Sequence, residues 1–321
     1  MIPVTIAVVC YNSADFIIET LESVFHVNHE AVELIISDDA SKDNTWQLVE
    51  NWLQQERVQQ RFTTIKKLRV EANTGVSPNC NRCVQAATAD WIIVLAGDDV
   101  VLKDTVKDNL EYIKNNPTTE VVFSQVQVFH TNYQSNHFVR VTPLNFPENF
   151  FGTKVDAQEQ YQQLLVSDRI HYTPSAFFKV ATLRKVGLFD EQFPMVEDYP
   201  MWLKLTKLGI RLHYFHQITV GYRVHEKASN NVSNNAIFKP ALLYSHAIRK
   251  VYVFPHYPLD LRCEEEVIYL VSKWFKSNDW NHNKPLNQWA YKLLTHYLNP
   301  FSILVSIKRR IPYFSKNTLY S

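Results

Sequence analysis

The stretch Trp91-Ile-Ile-Val-Leu-Ala-Gly-Asp-Asp99 decides the fold class, because an apolar run of strand length ends there in a glycine and two adjacent carboxylates. Two earlier stretches have the same form: residues 3–10 end in Tyr11-Asn12, and Val32 to Ile36 ends in Ser37-Asp38-Asp39. Strands that alternate with helices predict an α/β sheet with parallel strands, which binds ligands beyond the carboxyl ends of its strands. We therefore expect these polar residues to meet at one edge of the sheet.

Hydrophobic periodicity predicts the elements between and after these strands. Further strands are predicted over Thr63 to Val70 and Val121 to Phe129, and near 210–215 and 218–224. Helices are predicted after a Ser13 cap, after Asp43, over Val76 to Ala87, over Leu102 to Asn115, and at about 156–166 and 198–208. Residues 130–155 lack this regularity and are expected to form a long surface loop, and several helices are expected from about residue 234.

The composition is that of a globular chain with an uneven charge. The 321 residues are 46% hydrophobic and carry a formal net charge of +1, so neither disorder nor a nucleic-acid partner is indicated. Residues 230–321 contain 12 Lys and Arg against 5 Asp and Glu, whereas residues 1–229 contain 21 against 27. An acidic body therefore precedes a basic tail.

The amino terminus and the cysteines exclude further classes. The first apolar run has no charged segment before it and is too short for a signal peptide or a membrane span, so we expect a cytosolic chain. Cys80 and Cys83 have the CxxC spacing, but no second pair of ligands stands nearby. We expect them to be small, half-buried residues of a helix rather than zinc ligands.

The glycines exclude two large classes of nucleotide-binding protein. Gly75 is the first of six, and the others are widely spaced: Gly97, Gly152, Gly187, Gly209 and Gly221. The GxGxxG motif and the Walker P-loop both need closely spaced glycines around a phosphate, so a dehydrogenase or a P-loop kinase is not indicated. If a nucleoside diphosphate binds at this acidic edge, a divalent cation held by carboxylates must neutralise it.

The two carboxylate pairs leave two interpretations open. Adjacent carboxylates repel each other unless a cation or hydrogen bonds compensate the charge. Asp98 and Asp99 can belong to a cation site or to an acidic turn with a helix cap, and the same holds for Asp38 and Asp39. Two such pairs on one edge of one predicted sheet favour the cation site.

These stretches, taken in order, resemble the family 2 glycosyltransferases, which have the GT-A fold. Thr5 to Asn12 resembles the family's opening strand, and Glu33 to Thr45 resembles its nucleotide-binding strand and turn. Asn73-Thr-Gly75 resembles the loop that follows, and Leu95 to Asp99 resembles the DxD region. The resemblance covers roughly the first 230 residues and is more specific than any single motif.

The resemblance implies a fold, a domain organisation and a donor site. The fold is a Rossmann-like mixed sheet flanked by helices, with a catalytic domain over 1–230 and a helical, basic extension over 231–321. Within the catalytic domain, 1–129 is the nucleotide-binding half and 130–230 the acceptor-binding half. Six residues would bind the nucleotide sugar, with the first and third on the base and the last on the ribose: Tyr11, Asn12, Asp39, Asn73, Arg82 and Asp98.

The metal and the acceptor are assigned in the same way. By the resemblance, Asp99 would bind Mg²⁺ or Mn²⁺ on the diphosphate, and His225, in Tyr222-Arg-Val-His225, would bind the same metal. A lone His near a strand end is more often merely hydrogen-bonded. Glu197-Asp198 resembles the ED motif, in which Asp198 is the catalytic base and Glu197 orients the acceptor. Thr173 and Trp202 are assigned to the acceptor side. Without the family, acidic residues in a first helical turn would merely complement the helix dipole.

Two positions depart from the family's pattern. Ala96 stands where the family often has an Asp, which leaves the metal site with fewer carboxylates. Cys80 stands where many members have an Arg, and Arg82 follows two residues later. Whether Arg82 takes over that position is left open by the sequence.

The resemblance implies an inverting transferase that moves a sugar from a nucleotide sugar, with UDP as the nucleotide, to a hydroxyl of a glycan. The acceptor expected is a lipid-linked O-antigen or capsule intermediate. A sugar-1-phosphate nucleotidyltransferase and a non-catalytic sugar-binding module are the alternatives. Phe301 to Phe314 places apolar residues beside Lys308-Arg309-Arg310, which suits a helix on an anionic membrane surface or a basic end packed on the rest of the chain.

Overall fold

The computed structural model describes residues 1–225, 236–239, 241–315 and 318–320. The chain divides into two compact units. The sheet unit contains Met1–Tyr161 and Asp168–His225, and the helical unit contains Gln162–Ser167 and the described residues after Glu226.

The sheet unit is built on one nine-stranded sheet. Its strands in chain order are β1 (Val4–Cys10), β2 (Val32–Asp38), β3 (Thr64–Arg69), β4 (Trp91–Ala96), β5 (Val100–Val101), β6 (Val121–Phe129), β7 (Phe138–Thr142), β8 (Phe177–Lys179) and β9 (Leu212–Arg223). Their order across the sheet is β3-β2-β1-β4-β8-β6-β9-β5, and β7 pairs with β6.

The sheet is mixed, because only part of it follows the parallel pattern. β1 pairs in parallel with β2 and β4, and β2 pairs in parallel with β3. β8 then pairs antiparallel with both β4 and β6, while β6 and β9 are parallel. All residues of β1 and β2 are buried, as expected for central strands that are covered on both faces. Their carboxyl ends, together with that of β4, form the edge that the sequence predicts to carry the site.

The helices of the sheet unit lie between these strands. They are α1 (Ile17–Phe25), α2 (Thr45–Leu53), α3 (Glu56–Arg61), α4 (Val76–Ala86), α5 (Thr105–Asn115), α6 (Glu148–Phe151), α7 (Ala157–Val166, which runs into the helical unit), α8 (Val180–Lys185) and α9 (Asp198–Lys207). Short 3₁₀ turns cover Ser135–His137 and Thr173–Ser175.

Three predictions about local structure are wrong. Residues 130–155 are not one loop, because β7 and α6 lie within them; β7 is short and largely exposed, so its sequence lacks the apolar run of a buried strand. The strands predicted near 210–215 and 218–224 are one strand, β9, whose register against β6 shifts. The side chain of Ser13 does not cap α1; its carbonyl accepts the amides of Phe16 and Ile17 in the turn before that helix.

The helical unit contains the remaining helices. They are α10 (Ala241–Tyr252), α11 (Leu259–Ser277), α12 (Pro285–Lys292), a π-helical turn (Leu293–Tyr297), α13 (Pro300–Arg310) and α14 (Pro312–Ser315), with 3₁₀ turns at Phe254–His256 and Thr318–Tyr320. Within the described ranges, none of the helices is both long and apolar enough to cross a membrane.

A buried glutamate joins the first three strands of the sheet. The Glu33 carboxylate, on β2, accepts hydrogen bonds from the Thr5 hydroxyl on β1 (2.5 Å) and the Lys66 ammonium on β3 (2.7 Å). The amide and hydroxyl of Thr88, which precedes β4, each donate to it over 2.8 Å. Burial alone would raise the pKa of Glu33, but these donors outweigh it and lower the pKa to about 2. Glu33 therefore stabilises the sheet as a carboxylate.

We expect Glu33→Ala to lower the free energy of unfolding by about 2–3 kcal/mol at pH 7, because it leaves the donors of Thr5, Lys66 and Thr88 without their acceptor. Because the folded-state pKa lies below the unfolded one, this contribution is present above about pH 4.5 and is lost as the pH falls towards 2. Urea unfolding at several pH values measures it. Glu30→Ala, at an exposed position, is the control, and an equal loss in both variants would contradict the assignment.

Candidate active site

The loops after β1 and β2 are tied together at the carboxyl edge of the sheet. The Asn12 backbone amide donates to the Ser41 hydroxyl (2.9 Å), and the Asn12 side-chain oxygen accepts the Lys42 amide (2.8 Å). Asn12 has a positive φ of 53°, a conformation that Asn adopts more readily than most residues. These hydrogen bonds fix the loop after β1, and in this loop the Tyr11 side chain is exposed beside the sheet edge.

A recess of about 400 Å³ lies next to this loop. Its lining comes from residues 40–42, after β2, and from residues 69–71, at the end of β3. The buried Asp38 holds two of the lining residues in place, since its carboxylate accepts the Ser41 amide and hydroxyl and pairs with Arg69. The recess and the exposed ring of Tyr11 offer space and a stacking surface for a planar group.

Asp39 holds the loop that follows β3. Its carboxylate accepts the backbone amides of Thr74 (3.0 Å) and Gly75 (2.8 Å), the Thr74 hydroxyl (2.7 Å) and the Arg82 guanidinium (2.8 Å). Burial would raise the pKa of Asp39, but these donors lower it. The neighbouring Asn73 is exposed. The structure thus brings Arg82 to Asp39, while Cys80, where many family members have an Arg, is buried, as is Cys83.

Gly75 links this loop to the segment that leads into α9. Its φ of 97° is unfavourable for other residues, and a Cβ here would lie 2.5 Å from the Pro194 carbonyl oxygen. The Ser77 amide donates to that same oxygen (3.1 Å), and the Ser77 hydroxyl donates to the Phe193 carbonyl (2.9 Å). The loop at Asp39 and the start of α9 are therefore held in one arrangement.

Asp98 and Asp99, after β4, have different surroundings. The Asp98 carboxylate is 30% exposed and lies 3.0 Å from Nε2 of His225, which is 16% exposed. Asp99 is only 1% exposed, and its carboxylate accepts the Arg223 amide (2.8 Å). Burial, followed by the negative charge of Asp98, raises the pKa of Asp99 well above its usual range. Asp98 thus faces the open edge and Asp99 lies beneath it.

The Arg223 side chain, which the sequence did not single out, holds this turn in place. Its guanidinium is fully buried, donates to the Asp98 carbonyl (2.6 Å) and the Thr131 carbonyl, and pairs with Glu19 (2.7 Å). It also lies between two aromatic rings, 4.8 Å from the centre of Phe16 and 4.5 Å from that of Phe129. A charged residue within an otherwise apolar strand end was the signal available in the sequence.

The donor set at this edge fits a hard divalent cation. Within the described ranges, no three His, Cys, Asp or Glu side chains are grouped to enclose a metal. Asp98 and His225 supply one oxygen and one nitrogen donor, both partly open, and Asp99 lies below them. Mg²⁺ and Mn²⁺ are commonly held by one or two side chains with substrate phosphates and water. The pair can therefore hold such an ion once a diphosphate is present.

A second acidic group lies at the start of α9. The Asp198 carboxylate accepts the Thr173 hydroxyl (3.2 Å) and the Tyr199 amide (2.7 Å), and Asp198 is the first residue of the helix. The partial positive charge of a helix amino terminus and these two donors favour its ionised form. Even so, burial raises the pKa of Asp198.

The carboxyl groups of Glu197 and Asp168 stay protonated to higher pH, because both are buried and Asp198 is near. Burial, followed by the charge of Asp198, raises the pKa of Glu197 to about 8 and that of Asp168 to about 7. The sequence did not single out Asp168, since no motif surrounds it and only the tertiary structure brings it near Asp198. Carboxyl groups whose pKa values are pushed apart are typical of acid–base sites.

Trp202 lies one turn further along α9 and is fully buried. Its ring packs against Phe123, with centroids 4.9 Å apart, and nearly parallel to Phe178, at 6.0 Å. It offers no open surface to an acceptor, in contrast to the expectation for a residue of the acceptor site. Trp202 instead supports the helix that carries Asp198.

Comparison with known proteins identifies a family. The model for Glycosyl transferase family 2 matches residues 5–186, which is more than half of the chain. The Escherichia coli UDP-Glc:alpha-D-GlcNAc-diphosphoundecaprenol beta-1,3-glucosyltransferase WfaP is 26% identical over 258 residues, covering 79% of this chain and 88% of WfaP.

Solved structures show the fold. S. aureus TarS 1-349 in complex with UDP-GlcNAc matches with a TM-score of 0.56 and 16% identity, over 99% of this chain and 88% of TarS. Mannosyltransferase PcManGT from Pyrobaculum calidifontis, in complex with GDP-Man and Mn2+, matches with a TM-score of 0.51 and 15% identity, over 100% of this chain and 84% of PcManGT. The predicted GT-A fold is therefore confirmed.

We expect Arg223→Met to lower the free energy of unfolding by about 3–5 kcal/mol, because Glu19 and two carbonyl groups lose a buried, charged donor. Urea unfolding measures this loss. Arg57→Met is a matched control, since Arg57 also pairs with a glutamate (Glu22, 2.5 Å) and lies over an aromatic ring (Phe25, 4.6 Å), but at an exposed position. A loss as small as that of Arg57→Met would contradict the role given to Arg223.

Proposed function

The chain belongs to glycosyl transferase family 2, and on that premise we propose that it is a metal-dependent, inverting glycosyltransferase acting on a lipid-linked glycan. Family membership makes it a glycosyltransferase that uses a nucleotide-sugar donor, so the nucleotidyltransferase and the non-catalytic module are set aside. The observation that carries the finer proposal is the position of Asp198 at the start of α9, where its carboxylate accepts the Thr173 hydroxyl (3.2 Å) and the Tyr199 amide (2.7 Å). A carboxylate held in this way suits a base that must accept one proton from an acceptor hydroxyl.

The donor is a UDP-sugar bound at the carboxyl ends of β1 and β2. The exposed ring of Tyr11 and the recess beside residues 40–42 suit a nucleobase. Asn12 and Asp39 shape the walls of this region, Asn73 lies exposed at its edge, and Arg82 brings a positive charge to it. WfaP is named as using UDP-Glc, and TarS binds UDP-GlcNAc, which supports UDP as the nucleotide.

Asp98 and His225 would hold Mg²⁺ or Mn²⁺ on the donor diphosphate. We assign the direct contact to Asp98 rather than to Asp99, because Asp99 is 1% exposed and already accepts the Arg223 amide. Asp99 would then hold the turn from beneath by accepting the Arg223 amide, and Asp98 would not be a ribose ligand. A bound cation neutralises charge on the departing diphosphate. The complex of PcManGT with Mn2+ is consistent with such a cofactor.

The transfer step needs one base and one displacement. The acceptor hydroxyl attacks the anomeric carbon of the donor and gives its proton to the Asp198 carboxylate. The bond between that carbon and the phosphate oxygen breaks, and the nucleoside diphosphate leaves from the opposite face. One displacement inverts the configuration at this carbon. Thr173 orients the base by donating to it, and Glu197, protonated at neutral pH, can donate to the acceptor.

The acceptor is a sugar carried on a lipid diphosphate, as in O-antigen or capsule synthesis. The name of WfaP, with a GlcNAc-diphosphoundecaprenol acceptor and a β-1,3 product, supports this class. We place the reaction on the cytoplasmic side of a membrane, where such an acceptor would be presented to this chain.

The metal assignment predicts that EDTA abolishes transfer and that Mn²⁺ restores it. Asp98→Asn should weaken UDP binding in the presence of Mn²⁺ by roughly tenfold or more, and change it little without metal, because the open ligand is lost. Titration calorimetry with UDP, with and without Mn²⁺, measures this. Asp104→Asn, at an exposed position, is the control. Full activity in excess EDTA, or a larger metal-dependent loss in Asp99→Asn than in Asp98→Asn, would overturn the assignment.

The base assignment predicts that Asp198→Asn lowers kcat by roughly 10²–10⁴-fold while UDP affinity stays nearly unchanged, because the base acts on the acceptor. Glu197→Gln is the matched variant. It resembles the protonated acid present at neutral pH and should lose no more than about tenfold. Initial rates with a soluble glycan acceptor measure both, and NMR of the product reports the anomeric configuration. A product that keeps the donor's configuration, or near wild-type rates in Asp198→Asn, contradicts the mechanism.

A further inference from the structure

α13 presents a stripe of apolar side chains to the surroundings. Ile303, Leu304, Ile307 and Ile311 are between 40% and 53% exposed, whereas Ser302 and Val305 on the same helix are buried. Ile307 lies four residues after Ile303 and three after Leu304, which places these three along one side of the helix, and Ile311 follows the last residue of α13. The inner face of α13 thus packs in the helical unit, and a second apolar face remains in contact with the surroundings.

The apolar surface continues on neighbouring elements of the helical unit. A recess of about 270 Å³ is lined by Leu270, Val271 and Trp274 of α11 and by Leu294 of the π-helical turn. The Ser302 hydroxyl links these elements, since its oxygen lies within hydrogen-bond distance of the Glu264 carboxylate of α11 (2.7 Å) and of the Thr295 carbonyl (3.1 Å). The stripe and the recess therefore belong to one packed group of helices.

Exposed aromatic residues accompany this surface. Trp274, Trp280 and Trp289, with Tyr297 and Tyr313, are all at least 39% exposed. Trp and Tyr have an apolar body and a polar group, and they favour the boundary between water and lipid. The helical unit thus exposes aromatic side chains in addition to the apolar stripe, and Trp274 also lines the recess.

Two cations flank the stripe. Arg309 and Arg310 are exposed at the carboxyl end of α13, where they follow Ile307 and precede Ile311. Lys308 is instead paired with Asp260 of α11 (2.8 Å), so it fastens the helix to the helical unit. The region from residue 230 onward carries 12 Lys and Arg against 5 Asp and Glu. The surface thus combines apolar, aromatic and basic side chains.

We propose that this surface, made of the α13 stripe, the recess at α11 and Arg309 and Arg310, binds the headgroup region of an anionic lipid bilayer. An interfacial helix immerses its apolar side at the boundary of headgroups and acyl chains, while flanking cations contact anionic lipids. A second copy of the chain suits the surface less well. A symmetric contact would bring the same basic region of both copies together, and like charges repel.

Sedimentation of the full chain with vesicles tests the proposal without donor or acceptor, so its outcome does not depend on the transferase reaction. Vesicles of phosphatidylcholine with phosphatidylglycerol should pull down the protein at low salt, and far less at high salt or without phosphatidylglycerol. Ile303→Gln with Ile307→Gln keeps good helix formers but should lower partitioning roughly tenfold or more. Arg309→Ala with Arg310→Ala should do the same on anionic vesicles only.

Matched variants in the sheet unit serve as controls for the vesicle-binding variants of the helical unit. Val139→Gln with Leu144→Gln removes exposed apolar groups there, and Lys114→Ala with Lys154→Ala removes two exposed cations. Both should bind vesicles like the wild type. The proposal is overturned if the wild type does not sediment with anionic vesicles, or if the sheet-unit variants lose as much binding. It is also overturned if light scattering shows a dimer that the isoleucine variants dissociate and that binds no vesicles.

Discussion

The buried guanidinium of Arg223 is the interaction on which the positions of Asp98 and Asp99 depend. A cation enclosed by protein is stable only when its donors are all used and opposite charge lies near, and here Glu19, two carbonyl groups and two aromatic faces meet that demand. The backbone amide of the same residue holds Asp99. Because one residue contacts α1, the turn after β4 and the segment after β6, it sets where Asp98 stands relative to His225.

The acidic residues of the candidate site differ in their burial and in their hydrogen-bond partners. Asp38 accepts the Ser41 amide and hydroxyl from its own loop, whereas Asp39 accepts the Thr74 and Gly75 amides from the loop after β3 and pairs with Arg82 of α4. Asp98 remains open, and Asp99 is buried beneath it. At α9, Asp198 accepts the Thr173 hydroxyl and the Tyr199 amide, while burial and the charge of Asp198 raise the pKa values of Glu197 and Asp168.

Hydrogen bonds also connect the loop at Gly75 with the segment before α9. Asp39 fixes the loop at Gly75, and this loop donates to the carbonyls of Phe193 and Pro194, just before Glu197. On α4, Asn81 exchanges hydrogen bonds with the backbone of Phe189, at the start of the same segment. Direct hydrogen bonds therefore connect the loop at Gly75 and helix α4 with the segment that leads into α9.

The sequence by itself determined most of the strands and helices of the first 129 residues and, through its resemblance to the family 2 glycosyltransferases, the GT-A fold. Local periodicity sufficed for those elements and ordered motifs for the resemblance, since each depends on residues close in the chain. Only the tertiary structure decided which carboxylate is open, because the exposure of Asp98 and the burial of Asp99 depend on Arg223, more than 120 residues away. The tertiary structure also places Asp168 near Asp198 and buries Trp202 in the core. It pairs β7 with β6. Burial and charge proximity are properties of the folded chain, and no local pattern encodes them.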